Sequence, residues 1–377
     1  MDRLCELHAA GVSMWLDTLS RHLIAAGEFG SLVDDSCVTG ATSNPTTFAA
    51  AIRGADGYDQ QLQALLGTGS RDTQTIFFEL ALDDVRHAAD LLRGVYDQSG
   101  GRDGFVSFEC TPDLADDTDA TIEQAQMLWD RLDRPNVMIK VPATAAGLGA
   151  IEELTARGVN VNITLLFARS RYDEVIDAYL AGLERRAAAG DSVDAISSVA
   201  SFFVSRVDAK TDEQLPEVSP LRGRVAIANA KLAYQLYQHR FSDDRWNALA
   251  ARGARPQRPL WASTGTKNPA YSDVMYVEEL IGPDVVNTMP DKTMRAFADH
   301  GRIRRTVDTG INDAEEVLAK LQTADVDLDA ITTVLEREGV ASFCDAYHQL
   351  LACITDKAAG LGVRLDPPPG KPEPPET

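Results

Sequence analysis

Basic residues are the minority among the charged side chains of this 377-residue chain. Lys and Arg number 36 against 57 Asp and Glu, which gives a formal net charge of −21 at pH 7. Because nucleic acid carries a dense line of negative charge, a chain this acidic is not expected to bind DNA or RNA. Small anionic substrates are still compatible with it, since a few cationic side chains in a cleft can outweigh the field of the whole protein.

Cysteine and histidine are also scarce, and neither shows the spacing of a metal site. The five cysteines are scattered without a C-x-x-C pair, and the six histidines form no H-E-x-x-H motif. An odd number of cysteines without paired spacing is typical of a reducing compartment. We therefore expect such a compartment, no metal and no cofactor.

Long apolar runs are missing as well. No stretch approaches the roughly 20 residues that a membrane-spanning helix needs. The N-terminus, with Asp2 and Glu6, lacks the basic and then apolar pattern of a signal peptide. The sequence therefore predicts a soluble cytoplasmic protein with no membrane partner.

Glycine-rich nucleotide motifs are absent, which narrows the fold class. No G-x-G-x-x-G opens a first helix, and Gly265-Thr266-Lys267 lacks the spacing of a phosphate-binding P-loop. What the chain does have is an alternation of strand-like and helix-like segments, which favours a parallel sheet. The strand-like segments are 13–17, 38–42, 105–109, 137–140, 159–164, 196–201, 260–263 and 285–289. Eight units fit a closed (β/α)8 barrel better than an open doubly wound sheet, which is the alternative.

Helical periodicity fills the segments between these strands. Apolar residues recur at spacings of three and four in segments 117–131, 147–157, 170–188 and 222–240. Asp117 and Ser170 are the expected caps of two of these helices. We predict one α/β domain over residues 1–363, a (β/α)8 TIM barrel with extra C-terminal helices over 312–362 packed on it. A disordered proline-rich tail is expected over 364–377.

Polar and ionisable residues stand at the carboxyl ends of seven of the eight predicted strands. In a (β/α)8 barrel the active site lies at this end. Strand alternation predicts that the polar residues point into the barrel while their apolar neighbours face the helices. The set comprises Asp17, Asn44, Glu109, Lys140, Asn162, Thr164, Ser201, Arg206, Ser263 and Lys267.

Lys140 is the most informative member, because it lies near the end of the short apolar run 136–142. Burial favours the uncharged form of an amine, and an uncharged amine can condense with a ketone to form a Schiff base. The alternative is a lysine at a strand end that merely reaches out to solvent.

Taken together, the motifs at these strand ends resemble the transaldolase family, in its longer single-domain bacterial type. The matching motifs are W-L-D (15–17), A-T-S-N-P-T (41–46), V-S-F-E (106–109), I-K-V-P-A-T (139–144), V-N-I-T-L-L-F (161–167), S-V-A-S-F-F-V-S-R-V-D (198–208) and W-A-S-T-G-T-K (261–267). The resemblance covers about residues 11–300, and more loosely the C-terminal helices.

This resemblance implies a metal-free class I aldolase mechanism in the non-oxidative pentose phosphate pathway. A dihydroxyacetone unit would pass from sedoheptulose 7-phosphate or fructose 6-phosphate to glyceraldehyde 3-phosphate or erythrose 4-phosphate. Lys140 would form the Schiff base, and Asp17 would take the proton of the C4 hydroxyl. Glu109 and Thr164 would hold a water that relays protons.

The resemblance also assigns the substrate contacts. Asn44, Asn162 and Ser201 would bind the dihydroxyacetone hydroxyls. Arg206, Ser263 and Lys267 would bind the phosphate, for which cationic side chains are required. A monomer or a homodimer is expected.

Two positions depart from the family pattern. Asp113 stands where a basic residue is usual, and Gly265 stands where many members carry an arginine, for which Lys267 is the expected substitute. Cys110 is expected to face outward as a small apolar residue. The changed loop leaves the acceptor open. Three alternatives follow: a lyase that splits a ketose phosphate, a relative from secondary metabolism with an unusual sugar acceptor, and a catalytically silent barrel.

Overall fold

Eight parallel strands close into a barrel in the computed structural model, which describes residues 2–54 and 56–366. Each strand pairs with its neighbours in the sequence, and the eighth pairs with the first. The strands are β1 (Val12–Leu16), β2 (Val38–Thr42), β3 (Phe105–Glu109), β4 (Val137–Pro142), β5 (Val161–Leu166), β6 (Ser198–Phe203), β7 (Arg258–Ala262) and β8 (Val285–Met289). The predicted (β/α)8 barrel is confirmed.

Helices connect the strands and surround the barrel. Two short 3₁₀ turns, at Asp56–Tyr58 and Pro112–Leu114, lie between them. The α-helices are α1 (Arg3–Ala9), α2 (Arg21–Ala25), α3 (Glu28–Ser36), α4 (Pro45–Gly54), α5 (Asp59–Gly67), α6 (Thr73–Gln98), α7 (Thr118–Leu132), α8 (Ala145–Arg157), α9 (Arg169–Ala188), α10 (Ser205–Gln214), α11 (Val225–Arg240), α12 (Asp244–Ala250), α13 (Met275–Glu278), α14 (Asp291–His300), α15 (Ile311–Thr323) and α16 (Leu328–Gly360).

Local capping explains where some of these helices begin. Asp117 caps α7 as predicted, because its carboxylate accepts a hydrogen bond from the Ala120 N–H at 3.0 Å. The cap predicted at Ser170 is wrong. The helix α9 begins at Arg169 after Ala168, which offers no side-chain acceptor. Only two residues separate the end of β5 from this helix, so the chain turns directly into it.

The apolar residues of the strands pack between the barrel and the helices. Val106, Ile139, Val141 and Ile163, all predicted to face the helix layer, are completely buried. Burying an aliphatic side chain of this size contributes roughly 1.5–3 kcal/mol. This layer fixes the strands from outside and leaves the polar alternate positions to the barrel interior.

The long C-terminal helix α16 crosses the barrel at the carboxyl ends of its strands. It comes so close to Leu165 in β5 that a Cβ atom at Gly339 would lie 2.9 Å from the Leu165 Cδ2. Leu165 itself has a φ of 59°, and the pairing of β5 with β6 shifts register between Ile163 and Leu166. Such bulges re-aim side chains and are common next to active sites. The predicted packing of C-terminal helices on the barrel is confirmed.

Two cysteines are joined, which the sequence did not indicate. Cys5 in α1 and Cys37 before β2 form a disulfide with a Cα–Cα distance of 5.1 Å. Their 32-residue separation carries no recognisable spacing, because the contact depends on how α1 and the turn before β2 pack beside the paired strands β1 and β2. The expectation of a reducing compartment rested on the absence of paired cysteine spacing, and the disulfide removes that support.

The packed chain extends beyond the predicted domain end at residue 363. Leu365 is 6% exposed, and the Asp366 N–H donates to the Arg71 carbonyl at 2.9 Å. Residues 367–377 lie outside the described residues, so the predicted disorder of the tail stays a prediction there. Across the described ranges, no helix combines the length and the apolar character that a membrane crossing requires.

Candidate active site

Lys140 lies in β4 with only 7% of its surface exposed. Its ammonium group donates to the Glu109 carboxylate and, at 3.1 Å, to the Ser43 carbonyl. The contact with Glu109 follows from strand register, since Glu109 in β3 and Lys140 in β4 are direct neighbours. A lysine reaching out to solvent is therefore excluded, and the barrel interior holds a buried lysine–glutamate pair.

A small cavity lies beside this pair. It measures ≈ 20 Å³ and is lined by Glu109, Lys140 and Thr164, among others. The Glu109 Oε2 and Thr164 Oγ1 atoms are buried and have no hydrogen-bond partner among the described residues. Most of its lining is apolar, but a cavity of this size has room for one water molecule, and Glu109 and Thr164 supply two polar partners for it.

Burial raises the pKa of Glu109 above its ordinary value, although the charge of Lys140 opposes the rise. A carboxyl group with a raised pKa can exchange a proton with a neighbouring amine more easily than a solvated one. The pair is therefore suited to moving a proton on and off the lysine nitrogen.

Apolar side chains close the outer wall of the same cavity. Val340 and Phe343 come from α16, Pro112 from the 3₁₀ turn after β3, and Pro142 from the end of β4. Cys110 lines this cavity and also a second one that is lined by Phe48, Phe77 and Phe108. Its place in the hydrophobic core agrees with its predicted role as a small apolar residue, and its outward orientation stays a prediction. Burial raises the pKa of the Cys110 thiol, which keeps it protonated.

Asp17 directly follows β1 on the other side of Lys140. The Thr42 hydroxyl donates to its Oδ1 at 3.0 Å, and Asn44 also hydrogen-bonds it. Burial raises the pKa of Asp17, and the charge of Lys140 opposes that rise. Two carboxyl groups thus share one lysine, but each has its own hydrogen-bond partners.

An amide and two hydroxyls form a buried chain across the barrel. The Asn162 side-chain N–H donates to the Ser107 Oγ at 2.9 Å, and the Ser201 hydroxyl donates to the Asn162 Oδ1 at 2.7 Å. Asn44 is anchored separately, because its Oδ1 accepts from the Thr47 N–H at 2.9 Å at the start of α4. These contacts hold in place Asn44, Asn162 and Ser201, the three residues that are predicted to bind the substrate hydroxyls.

Two cations meet at the mouth of the barrel. Arg206 lies in the first turn of α10 with its guanidinium 5.2 Å from the Phe203 ring centre. Partial burial lowers the pKa of Lys267, and the positive charge of Arg206 lowers it further. Ser263, with a φ of 54°, places its hydroxyl 2.9 Å from that of Ser205. Burial lowers the pKa of Arg206, and the charge of Asp17 opposes that shift. Two neighbouring cations make this corner attractive to anions.

A larger groove of ≈ 630 Å³ lies elsewhere, between α9, α11 and the start of α16. Its ionisable residues include Arg169 and His239, which are exposed to solvent. We centre the candidate site on the smaller cavity because it holds buried ionisable groups in contact, which are costly to keep unless they are used.

The family model described as transaldolase/fructose-6-phosphate aldolase matches residues 14–354. The chain belongs to this family. A relative from Frankia alni named Transaldolase is 48% identical, over 96% of this chain and 98% of its own length. Transaldolase 1 of Streptomyces coelicolor is 51% identical over 96% of both chains. A Mycolicibacterium smegmatis protein named Transaldolase is 48% identical over 92% of this chain and 95% of its own. The predictions of the family and of a transaldolase-type transferase are confirmed.

Asp113, where the resemblance led us to expect a basic residue, is held by the C-terminal helix. The Asp113 Oδ2 lies 3.0 Å from the His348 Nε2, and both side chains are largely buried. Asp113 thus ties the loop after β3 to α16 at the barrel mouth. Its predicted influence on the choice of acceptor stays a prediction.

Two threonines of the site were not identified from the sequence. Besides holding Asp17, the Thr42 hydroxyl lies 2.8 Å from that of Thr288. Thr42 stands within a recognised transaldolase motif, and Thr288 is the penultimate residue of the one predicted strand to which no polar residue had been assigned. The positions of both threonines could be read from the sequence. Threonine is common in strands, however, so its presence there does not by itself indicate a site.

Proposed function

We propose that this transaldolase transfers a dihydroxyacetone unit from a ketose phosphate to an aldose phosphate through a Schiff base on Lys140. The observation that carries the proposal is the buried contact between Lys140 and Glu109 beside a cavity with room for one water. Fructose 6-phosphate and sedoheptulose 7-phosphate are the proposed donors. Glyceraldehyde 3-phosphate and erythrose 4-phosphate are the proposed acceptors, in the non-oxidative pentose phosphate pathway.

Schiff-base formation starts with a proton transfer. Glu109 accepts a proton from the Lys140 ammonium, and the neutral amine attacks the ketone carbon of the donor. Glu109 then returns the proton, through a water held with Thr164, to the hydroxyl that leaves as water. The two buried oxygen atoms without partners, Glu109 Oε2 and Thr164 Oγ1, support this role.

Cleavage follows on the other side of the lysine. Asp17 takes the proton of the C4 hydroxyl as the C3–C4 bond breaks, and the electron pair passes into the iminium to give an enamine. The aldehyde product leaves, and the enamine attacks the acceptor aldehyde while Asp17 returns the proton. Burial raises the pKa of Asp17, which favours its acting as an acid in this last step.

The competing proposal is a lyase, in which water protonates the enamine. The apolar wall of Val340, Phe343, Pro112 and Pro142 around the cavity favours transfer, because it limits the water that reaches the intermediate. Asp113, which contacts His348 at the barrel mouth, departs from the expected family pattern. An unusual sugar is therefore a second candidate acceptor.

The proposal is tested on the wild-type protein with fructose 6-phosphate. Borohydride should trap a dihydroxyacetone adduct on the peptide that contains Lys140, as seen by mass spectrometry. Glyceraldehyde 3-phosphate release should continue over many turnovers only when erythrose 4-phosphate is present. Sustained release without any acceptor would establish the lyase instead.

Arg206, Ser263 and Lys267 are the proposed phosphate ligands. Arg206 and Lys267 supply charge, and Ser263 supplies a hydroxyl; the charge of Asp17 acts on Arg206, and the charge of Arg206 acts on Lys267. Asn44, Asn162 and Ser201 are proposed to bind the dihydroxyacetone hydroxyls, in keeping with the burial of Asn162 and Ser201 and the partial burial of Asn44.

Arg206→Ala should weaken the binding of phosphorylated donors by roughly 1.5–3 kcal/mol, the value of a hydrogen bond to a charged group. That corresponds to an increase in KM of roughly 10- to 150-fold. Lys210→Ala is the matched control, because Lys210 lies in the same helix and pairs with Glu338 at the surface. An unchanged KM for fructose 6-phosphate in Arg206→Ala would remove Arg206 from the phosphate site.

We also propose a cytoplasmic location, because sugar phosphates are anions that are made and kept inside the cell. The Cys5–Cys37 disulfide is unusual for that compartment. A monomer or homodimer, without a metal, cofactor or nucleic-acid partner, completes the proposal.

A further inference from the structure

Two acidic residues in α10 each bind a tyrosine from the segment that follows β7. The Tyr276 hydroxyl donates to the Asp208 Oδ2 at 2.9 Å, and the Tyr271 hydroxyl donates to the Asp212 Oδ2 at 2.6 Å. Asp208 and Asp212 are one helical turn apart, so both contacts lie on one face of α10. Two parallel carboxylate–tyrosine contacts thus join this helix to residues 271–276.

The second oxygen of each carboxylate binds the start of α11. The Ala226 N–H donates to the Asp208 Oδ1 at 2.7 Å, and the Gly223 N–H donates to the Asp212 Oδ1 at 3.1 Å. Burial raises the pKa of Asp208 to about 7, so its charged form is costly to keep in this place. Each oxygen of the two carboxylates thus accepts a hydrogen bond. Together they join α10 to the start of α11 and to residues 271–276.

Close packing reinforces the contact at Tyr271. Gly223 has a φ of 69°, and a Cβ atom there would lie 2.8 Å from the Tyr271 ring. Within the same loop, the Thr266 hydroxyl donates to the Ser272 carbonyl at 2.8 Å. The loop after β7 is therefore held by specific contacts.

The segments joined in this way are those that carry Arg206 and Lys267. At the near end, the Ser205 N–H donates to the Ser263 carbonyl at 3.0 Å, next to Arg206. At the far end, the tyrosines fix residues 271–276. Lys267 lies between these two anchors, so its distance from Arg206 depends on both.

We propose that Tyr271 and Tyr276 are positioning residues for the substrate phosphate. By binding Asp212 and Asp208, they hold the loop that carries Lys267 against the helix that carries Arg206. A clamp of two cations must be set at a fixed spacing before the phosphate arrives, because binding energy spent on ordering the loop is lost from affinity. The inference rests on the proposed phosphate site.

The test uses Tyr271→Phe, Tyr276→Phe and the double variant, which remove only the hydroxyl groups. Each single variant should raise the KM for fructose 6-phosphate by roughly 3- to 10-fold, the effect of one lost hydrogen bond. Inhibition by inorganic phosphate should weaken by the same factor. The kcat/KM for unphosphorylated fructose as donor should stay within about twofold of wild type, because that sugar does not use the clamp.

Tyr234→Phe is the matched control. Its hydroxyl donates to the Pro283 carbonyl at 3.0 Å, before the start of β8 and hence at the opposite end of the barrel. This variant should leave both donors unaffected. If Tyr276→Phe fails to fold, the partly exposed Tyr271 carries the test alone.

The outcomes separate the inference from the function on which it rests. Equal losses with phosphorylated and unphosphorylated donors, or no loss with either, would overturn the positioning role. If Arg206→Ala raises the KM for fructose 6-phosphate but the tyrosine variants do not, only the inference fails. If Arg206→Ala leaves that KM unchanged, the phosphate site itself is misassigned, and the inference falls with it.

Discussion

Replacing Lys140 by Met should abolish turnover and remove the adduct that borohydride traps with fructose 6-phosphate. Methionine keeps the length and the apolar stem of the lysine, so the barrel interior stays filled while the only proposed nucleophile is lost. Loss of a covalent nucleophile commonly costs on the order of 10⁴-fold or more in kcat. The adduct should disappear completely, because no chemical step is left to form it.

The control is a second buried lysine. Lys231 in α11 is 9% exposed and lies 3.4 Å from Glu279, outside the barrel interior. Lys231→Met should retain the adduct and most of the activity of the folded protein. Mass spectrometry of the wild-type adduct decides the assignment directly. A label on the peptide carrying Lys231 or Lys267 would reject Lys140 as the nucleophile.

Much of the catalytic arrangement could be predicted because a barrel converts sequence order into spatial order. Once each strand is known to end near a polar residue, parallel pairing brings those ends to one face. Glu109 and Lys140 illustrate this, since both end their predicted strands and are register neighbours in the structure. No long-range contact had to be guessed for that pair.

Contacts made by loops and helices that lie outside the regular order of the barrel strands could not be predicted. His348 meets Asp113 across 235 residues, because α16 folds back over the mouth of the barrel. The Cys5–Cys37 disulfide and the tyrosines bound to Asp208 and Asp212 are of the same kind. Nothing in the spacing of such residues marks the contact, since it depends on how loops and terminal helices pack onto a finished barrel.

The turn that carries Cys110 shows where strand alternation stops being informative. Alternation along β3 assigns Ser107 and Glu109 to the interior, but it has no meaning once the strand has ended. Val340 and Phe343 of α16 lie against this turn at the cavity. The sequence pattern therefore predicts the strands better than the loops that follow them.

Replacing Asp17 and replacing Glu109 should block the reaction at different steps. Glu109 contacts the Lys140 nitrogen directly, whereas Asp17 is hydrogen-bonded by Thr42 and Asn44. We therefore expect Glu109→Gln to slow adduct formation itself, by roughly 10²- to 10⁴-fold for a lost acid–base group. Asp17→Ala should still form the Schiff base but should not break the C3–C4 bond.

The mass of the adduct after borohydride reduction distinguishes the two defects. In Asp17→Ala the trapped species should carry the whole sugar phosphate, because the donor is bound covalently but not split. In Glu109→Gln the adduct that does accumulate should be the three-carbon fragment, formed slowly, because Asp17 still cleaves what has been captured. Each variant serves as the control for the other, since both remove one buried carboxylate next to the same lysine. A three-carbon adduct formed at the normal rate by Asp17→Ala would show that another group at the barrel mouth is the cleavage base.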